Sequence, residues 1–276
     1  MRVIPKPNIS ALKTYITCYS SIRNNDKRTK FREISKYISR QSIDYNQLGI
    51  SKCLFNIPSH EHVKSNIYKA DMKGLYEEQF VDRKKGRRIY DKIMLLAPLS
   101  ICPFCGFGTV ATLDHYLPKA PFPTFSVLPY NLVPCCFDCN KGKAAGHART
   151  QNEQTIHPYY DDYSNEQWLY ASIVQTNPVS IRFYVNPPST WNPVDQDRVK
   201  AHFIDFDLEK RFSIKAATEF ANLREEFKLY SSTPSQIKEA LTKKARAQLS
   251  RYKNSWESAF YQALSNNNWY QTRGYL

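Results

Sequence analysis

Residues 102–119 read CPFCGFGTVATLDHYLPK, and the rest of the chain is best read outward from this stretch. Cys102 and Cys105 have the spacing of half a metal knuckle, and a second pair, Cys136 and Cys139, follows in CFDC. Together they supply four thiolates, the full tetrahedral set for a structural zinc ion. Thirty residues separate the pairs, more than the roughly 15–20 of a common zinc ribbon. The knuckles therefore bracket an inserted unit that contains LDHYLPK and YNLVP. The competing reading is two chance CxxC pairs buried as small apolar residues, and their closeness in sequence counts against it.

Five of the seven cysteines fall between positions 102 and 139. An odd, clustered set does not describe a secreted disulfide framework; paired CxxC motifs in a reducing compartment point to metal. Cys135 is expected to be a spare, and Cys18 and Cys53 ordinary buried thiols. The N-terminus, MRVIPKPNIS, carries charge and two prolines where a signal peptide would have its apolar core. No apolar run approaches the roughly 18 residues of a membrane span. The expectation is a soluble, cytoplasmic protein with no membrane partner.

The formal charge of the 276 residues is +14. Residues 1–100 hold 20 Lys/Arg against 9 Asp/Glu, whereas residues 101–164 hold 4 against 5. A basic flank beside a near-neutral centre suits a polyanionic partner such as nucleic acid. It equally suits a solubilising surface.

Periodicity divides the chain into three regions. Residues 1–95 are expected to be basic and helical: NISALKTYITCYSSIR behind an Asn8 cap, DKRTKFREISKYISRQSI, HVKSNIYKADMKGLYEEQFV, and a basic turn, VDRKKGRR, before an apolar helix. Residues 96–165 are proline-rich and lose the helical period. There GTVATLDHYL alternates as a strand, and FDCNKGKAA is expected to be a short helix. Residues 166–276 start with a hairpin around Asn177-Pro178 and return to helix, with Pro234 in a first turn.

Asp114-His115 is the pair that phosphodiester hydrolysis asks for. A carboxylate oxygen suits a hard divalent cation, and a neutral imidazole is a competent base for water near pH 7. Alone, an Asp-His dipeptide is more often an ordinary satisfied pair; its place between two knuckles gives it weight.

Taken in order, CPFC, LDHYLP, YNLVP and CFDCNKGK (residues 102–143) resemble the HNH (ββα-metal) endonucleases of the zinc-knuckle type. The resemblance implies an α+β fold, mainly helical, around a central zinc-stabilised ββα-metal module. It implies an endonuclease, acting on DNA more than RNA, with His115 as general base and Asp114 as a ligand of a catalytic Mg2+ or Mn2+. Asn131 would hold the loop and orient the base. Asn140 stands where many members have a second His, and a neutral amide oxygen still suits Mg2+. Downstream, IHPYYDD offers His157 as an additional active-site residue, ahead of His147, with Asp161 and Asp162 as possible metal support. His157 before Pro158 equally suits a turn. Lys119, Lys141 and Lys143 flank the site and, with Arg87 and Arg88, are expected to meet phosphate. The layout also resembles HNH proteins of bacterial anti-phage defence, of Septu-type and retron-linked systems, which implies an ATPase partner subunit. A zinc-stabilised nucleic-acid-binding protein without catalysis, and a nuclease subunit gated by a partner, are the alternatives.

Overall fold

Alternating burial and, on several helices, a side-chain cap at the N-terminus organise the chain. A computed structural model describes residues 1–142 and 147–274. They fall into two compact units, Arg2–Asp161 and a second that begins at Asp162. Among the described residues the protein is mainly helical with three two-stranded antiparallel sheets, an α+β fold. None of its described helices is long and apolar enough to cross a membrane.

The first unit opens with α1 (Ala11–Tyr19), whose cap is Ser10 rather than Asn8: the Ser10 Oγ accepts from the Lys13 N–H. The basic stretch expected as one helix forms two, α2 (Asn25–Glu33) and α3 (Ser35–Ile50). They part at Ile34, which leaves helical geometry to bury its side chain. The expected helix from His62 also starts differently. His62–Lys64 (β1) and Ile67–Tyr68 (β2) pair as a hairpin turned at Ser65, which takes a left-handed φ of 52°. Val63 and Ile67 are buried, so the apolar residues serve a hairpin period here and not a helical one. The helix follows as α4 (Lys69–Gly74), widens into a π-helical turn over Leu75–Val81, and is succeeded by α5 (Lys84–Met94).

A close approach fixes α5. A Cβ at Gly86 would lie 2.2 Å from the Gln79 carbonyl oxygen and 2.6 Å from Phe80 Cα, so only glycine fits there. Strand β3 (Thr112–His115) is shorter than the alternation suggested; upstream, Ile101 and Thr109 form an isolated bridge across the first knuckle. Its partner is β4 (Leu132–Cys135), with Thr112 opposite Cys135 and His115 opposite Leu132. Helix α6 (Phe137–Gly142) follows directly. One apolar core joins Tyr15, Phe31, Ile38, Phe80 and Ile93 to Leu113, Val127 and Leu132. The expected boundary between residues 95 and 96 thus runs through a shared core.

In the second unit β5 (Leu169–Val174) and β6 (Ser180–Val185) form the hairpin, with Leu169 opposite Val185 and Val174 opposite Ser180. Four helices follow: α7 (Pro193–Asp205), α8 (Leu208–Leu229), α9 (Pro234–Arg251) and α10 (Trp256–Ser265). The first break falls at Asp207, with a φ of 49°, inside a stretch expected to be a single helix. The last expected helix is broken likewise and restarts behind a Ser255 cap. Pro234 sits in the first turn of α9, after a Thr233–Gln236 capping box. Asn254 fastens the hairpin's entrance, accepting from the N–H groups of Trp168 and Leu169 and donating to the carbonyls of Tyr163 and Glu166.

Candidate metal centre and the adjoining Asp-His site

The four CxxC cysteines meet. All are buried, and the Sγ atoms of Cys102, Cys105, Cys136 and Cys139 lie within 4.8 Å of one another. Cys102 and Cys105 come from the turn before β3, and Cys136 and Cys139 from the start of α6. The first turn is tightened by Gly106 N–H to the Cys102 carbonyl (2.8 Å) and Cys102 N–H to the Gly108 carbonyl (2.7 Å). Gly106 has a φ of 79°, which its lack of a Cβ permits. Gly108 donates its N–H to Cys105 Sγ at 3.3 Å, an outer-shell contact that favours thiolate. A Cβ at Gly108 would stand 2.8 Å from Cys136 Sγ.

Charge is already biased in this cluster. Hydrogen bonding, first from Cys102, lowers the Cys105 thiol strongly and brings Cys136 from 9.0 down to about 6. The same crowding raises Cys102 and Cys139. Four converging thiols with two disposed to ionise fit a soft-ligand tetrahedral ion such as zinc, whose binding would deprotonate the set. Among the described residues this is the one group of three or more His, Cys, Asp or Glu placed to hold a metal ion. Cys135 is buried beside it, paired through its backbone in β4.

Asp114 and His115 end β3, both buried. The His115 Nε2 lies 2.8 Å from the Ser126 carbonyl oxygen. A carbonyl only accepts, so Nε2 carries the proton, and in the neutral ring Nδ1 is the basic nitrogen. Tyr76 lies edge-on to the imidazole, with ring centroids 4.5 Å apart. Burial first, with the Asp114 charge a lesser cause, raises the hydroxyl pKa of both Tyr76 and Tyr45. Both phenols stay protonated beside the carboxylate.

Asn131 is fully buried, and its amide makes four hydrogen bonds. Oδ1 accepts from Leu117 N–H (2.7 Å) and Tyr45 Oη (2.9 Å), while Nδ2 donates to the carbonyls of Leu117 (3.0 Å) and Phe125 (3.3 Å). It thereby clips both arms of the loop between His115 and β4. His157 lies in an aromatic cage of Tyr116, Tyr159 and Tyr160. Its Nδ1 accepts from Tyr159 N–H (3.2 Å), and its Nε2 lies 3.4 Å from Tyr45 Oη. Both ring nitrogens thus face protein groups in the interior. Asp161 Oδ2 accepts from the His157 N–H, and Asp162 Oδ1 accepts from Ser164, so these carboxylates cap turns.

The remaining expected residues are more dispersed. Asn140 and Lys141 are exposed on α6, and Lys143 lies outside the described residues. Lys119 is ion-paired with Glu77 (2.9 Å) and stands over the Tyr76 ring. Arg87 is held by Asp91 (2.7 Å) and over Tyr90, while Arg88 is exposed near Arg83, Lys84 and Lys85. Tyr90 Oη accepts the Leu113 N–H at 3.2 Å, which ties this basic helix to β3. His147 is edge-on to Phe122. Tyr45, Tyr76 and Ser126 escaped the sequence reading. Tyr45 follows Ile38 and Ser42 and precedes Gly49 on the buried face of α3, and a tyrosine on such a face brings a hydroxyl that needs a partner.

Fold and site define a mainly helical α+β protein built around a four-cysteine centre able to hold a metal such as zinc. The chain is 37% identical over 221 residues to Protein ea31 of Escherichia phage lambda, a match that covers 74% of each chain, and it belongs to the family of that protein. No family model matches the chain, and no solved structure does.

Proposed function

We propose that this protein is a metal-dependent endonuclease of the HNH type that hydrolyses phosphodiester bonds of nucleic acid. The observation that carries the proposal is His115. It ends β3 beside buried Asp114, with Nε2 committed to the Ser126 carbonyl, so that Nδ1 of the neutral ring is the base. The strand–strand–helix order of β3, β4 and α6, with the cysteine cluster at its joints, supports the same reading.

His115 Nδ1 takes a proton from the attacking water as its oxygen approaches phosphorus. Ser126 keeps the imidazole from rotating, and Asn131 keeps Ser126's loop in place. Asp114 and the Asn140 amide are hard oxygen donors suited to Mg2+ or Mn2+; such an ion, when bound, withdraws charge from the phosphate and the leaving oxygen. The four thiolates are soft donors and serve a zinc ion that shapes the module. DNA is the preferred substrate class. A defence role and an ATPase partner rest on the sequence resemblance alone.

A second reading, nucleic-acid binding without cleavage, draws on the exposed Arg83, Lys84, Lys85 and Arg88 of α5 and its N-cap. Incubating the purified protein with plasmid DNA and with total RNA, with and without added Mg2+, separates the two. Mg2+-dependent scission is expected. Retarded mobility without scission would favour the binding protein.

A further inference from the structure

We infer that Tyr45, on a helix far from β3 in sequence, is a positioning residue for His115; the inference rests on the nuclease reading above. Its hydroxyl joins two systems. On one side it donates to Asn131 Oδ1 at 2.9 Å. On the other it stands 3.4 Å from His157 Nε2. Because Tyr159 N–H donates to His157 Nδ1, the proton of the neutral ring sits on Nε2, which donates to Tyr45 Oη. The direction is therefore fixed through the chain: His157 to Tyr45, Tyr45 to Asn131.

Asn131 passes that order to the base. Its Nδ2 holds the Phe125 carbonyl, one residue before Ser126, whose own carbonyl receives the His115 Nε2–H. Its Oδ1 and Nδ2 also grip both backbone groups of Leu117, two residues beyond His115. The Leu117 N–H on Oδ1 and the two carbonyls on Nδ2 set the orientation of this amide, and the Tyr45 hydroxyl supplies the second donor that completes Oδ1. Without it, Oδ1 keeps the Leu117 N–H alone, and the buried amide loses part of the satisfaction that fixes it.

The downstream segment is built to hold Tyr45 in place. Tyr160 packs against α3 where Gly49 leaves room, since a Cβ there would be 2.6 Å from the ring. Tyr160 Oη also donates to Asn46 Oδ1 (3.1 Å). Tyr159 Oη donates to the Leu132 carbonyl at the start of β4 (2.7 Å), and Tyr116 Oη to the Thr155 carbonyl. The HPYY motif thus works as a clasp between α3 and the β3–β4 pair, with His157 acting through Tyr45 and not on substrate.

The test compares wild type, Tyr45→Phe and, as a destabilising control on the same helix, Ile38→Ala. Steady-state cleavage is measured well below each protein's Tm. Tyr45→Phe is expected to lower kcat by about tenfold to a hundredfold with KM within about twofold, and Ile38→Ala to leave kcat unchanged. Hydrogen exchange at the Leu117 amide supplies a readout independent of activity, and it should quicken about tenfold in Tyr45→Phe. A wild type that cleaves nothing would defeat the nuclease reading, and exchange would still decide the loop's dependence on Tyr45. Unchanged exchange at Leu117, or an active Tyr45→Phe with wild-type kcat, would overturn the inference. So would an equal kcat loss in Ile38→Ala.

Discussion

The proton on His115 Nε2 governs what that residue can do. With Ser126 O as its acceptor the ring cannot turn, and the lone pair of the neutral form is confined to Nδ1. The cysteines show the same economy of placement. Cys136, brought down to about 6, favours thiolate in the folded chain. A lowered value contributes stability above the ordinary thiol pKa and loses it as pH falls through the folded value. Protons compete with zinc for the thiolates, so zinc release to a chromophoric chelator is expected to rise as pH falls; release independent of pH would contradict thiolate ligation. Gly108→Ala would bring a Cβ to 2.8 Å from Cys136 Sγ. We expect that variant to bind less than one zinc ion per chain by elemental analysis, and full occupancy would show that the turn can yield.

At the scale of elements, α5 bears exposed cations and is tied to β3 through Tyr90. Gly86→Ala places a methyl 2.2 Å from the Gln79 carbonyl, a backbone atom that cannot swing aside. A loss of about 1–3 kcal/mol in denaturant unfolding is expected, and an unchanged midpoint would show that α5 can slide. Arg87 is occupied by Asp91, so the exposed cations within α5 to reverse, among the described residues, are Lys84, Lys85 and Arg88. Changing all three to Glu should lower the slope of log affinity against log salt by about 2 to 3; an unchanged slope would put the phosphate contacts elsewhere. Much of this layer was legible in the sequence. The cysteine pairs, the strand carrying Asp114 and His115, the short helix after Cys136 and the hairpin around Asn177-Pro178 all have short-range signatures. What escaped depends on long-range partners. The register of β1 with β2, the break at Ile34 and the bonds of Tyr45 to residues 86 and 112 positions away are set by burial, which local propensity does not encode. Likewise nothing local reveals that His157 spends its ring nitrogens inside the fold.

For the molecule as a whole, the two units ask different questions. The second carries, among the described residues, the β5–β6 hairpin and helices α7 to α10. The first unit places the cysteine cluster, the Asp-His pair and a basic helix on one apolar core. Removing the metal should therefore be felt across that unit: dialysis against a zinc chelator is expected to lower its Tm by several degrees, because the cluster joins the turn before β3 to α6. His115, as the proposed base of a phosphodiesterase, makes scission depend on its imidazole. The most direct measurement is the rate of plasmid scission in Mg2+ by wild type and by His115→Ala, both first shown to contain equal zinc. A fall of about a hundredfold or more in the variant is the predicted result, and scission at the wild-type rate would contradict it.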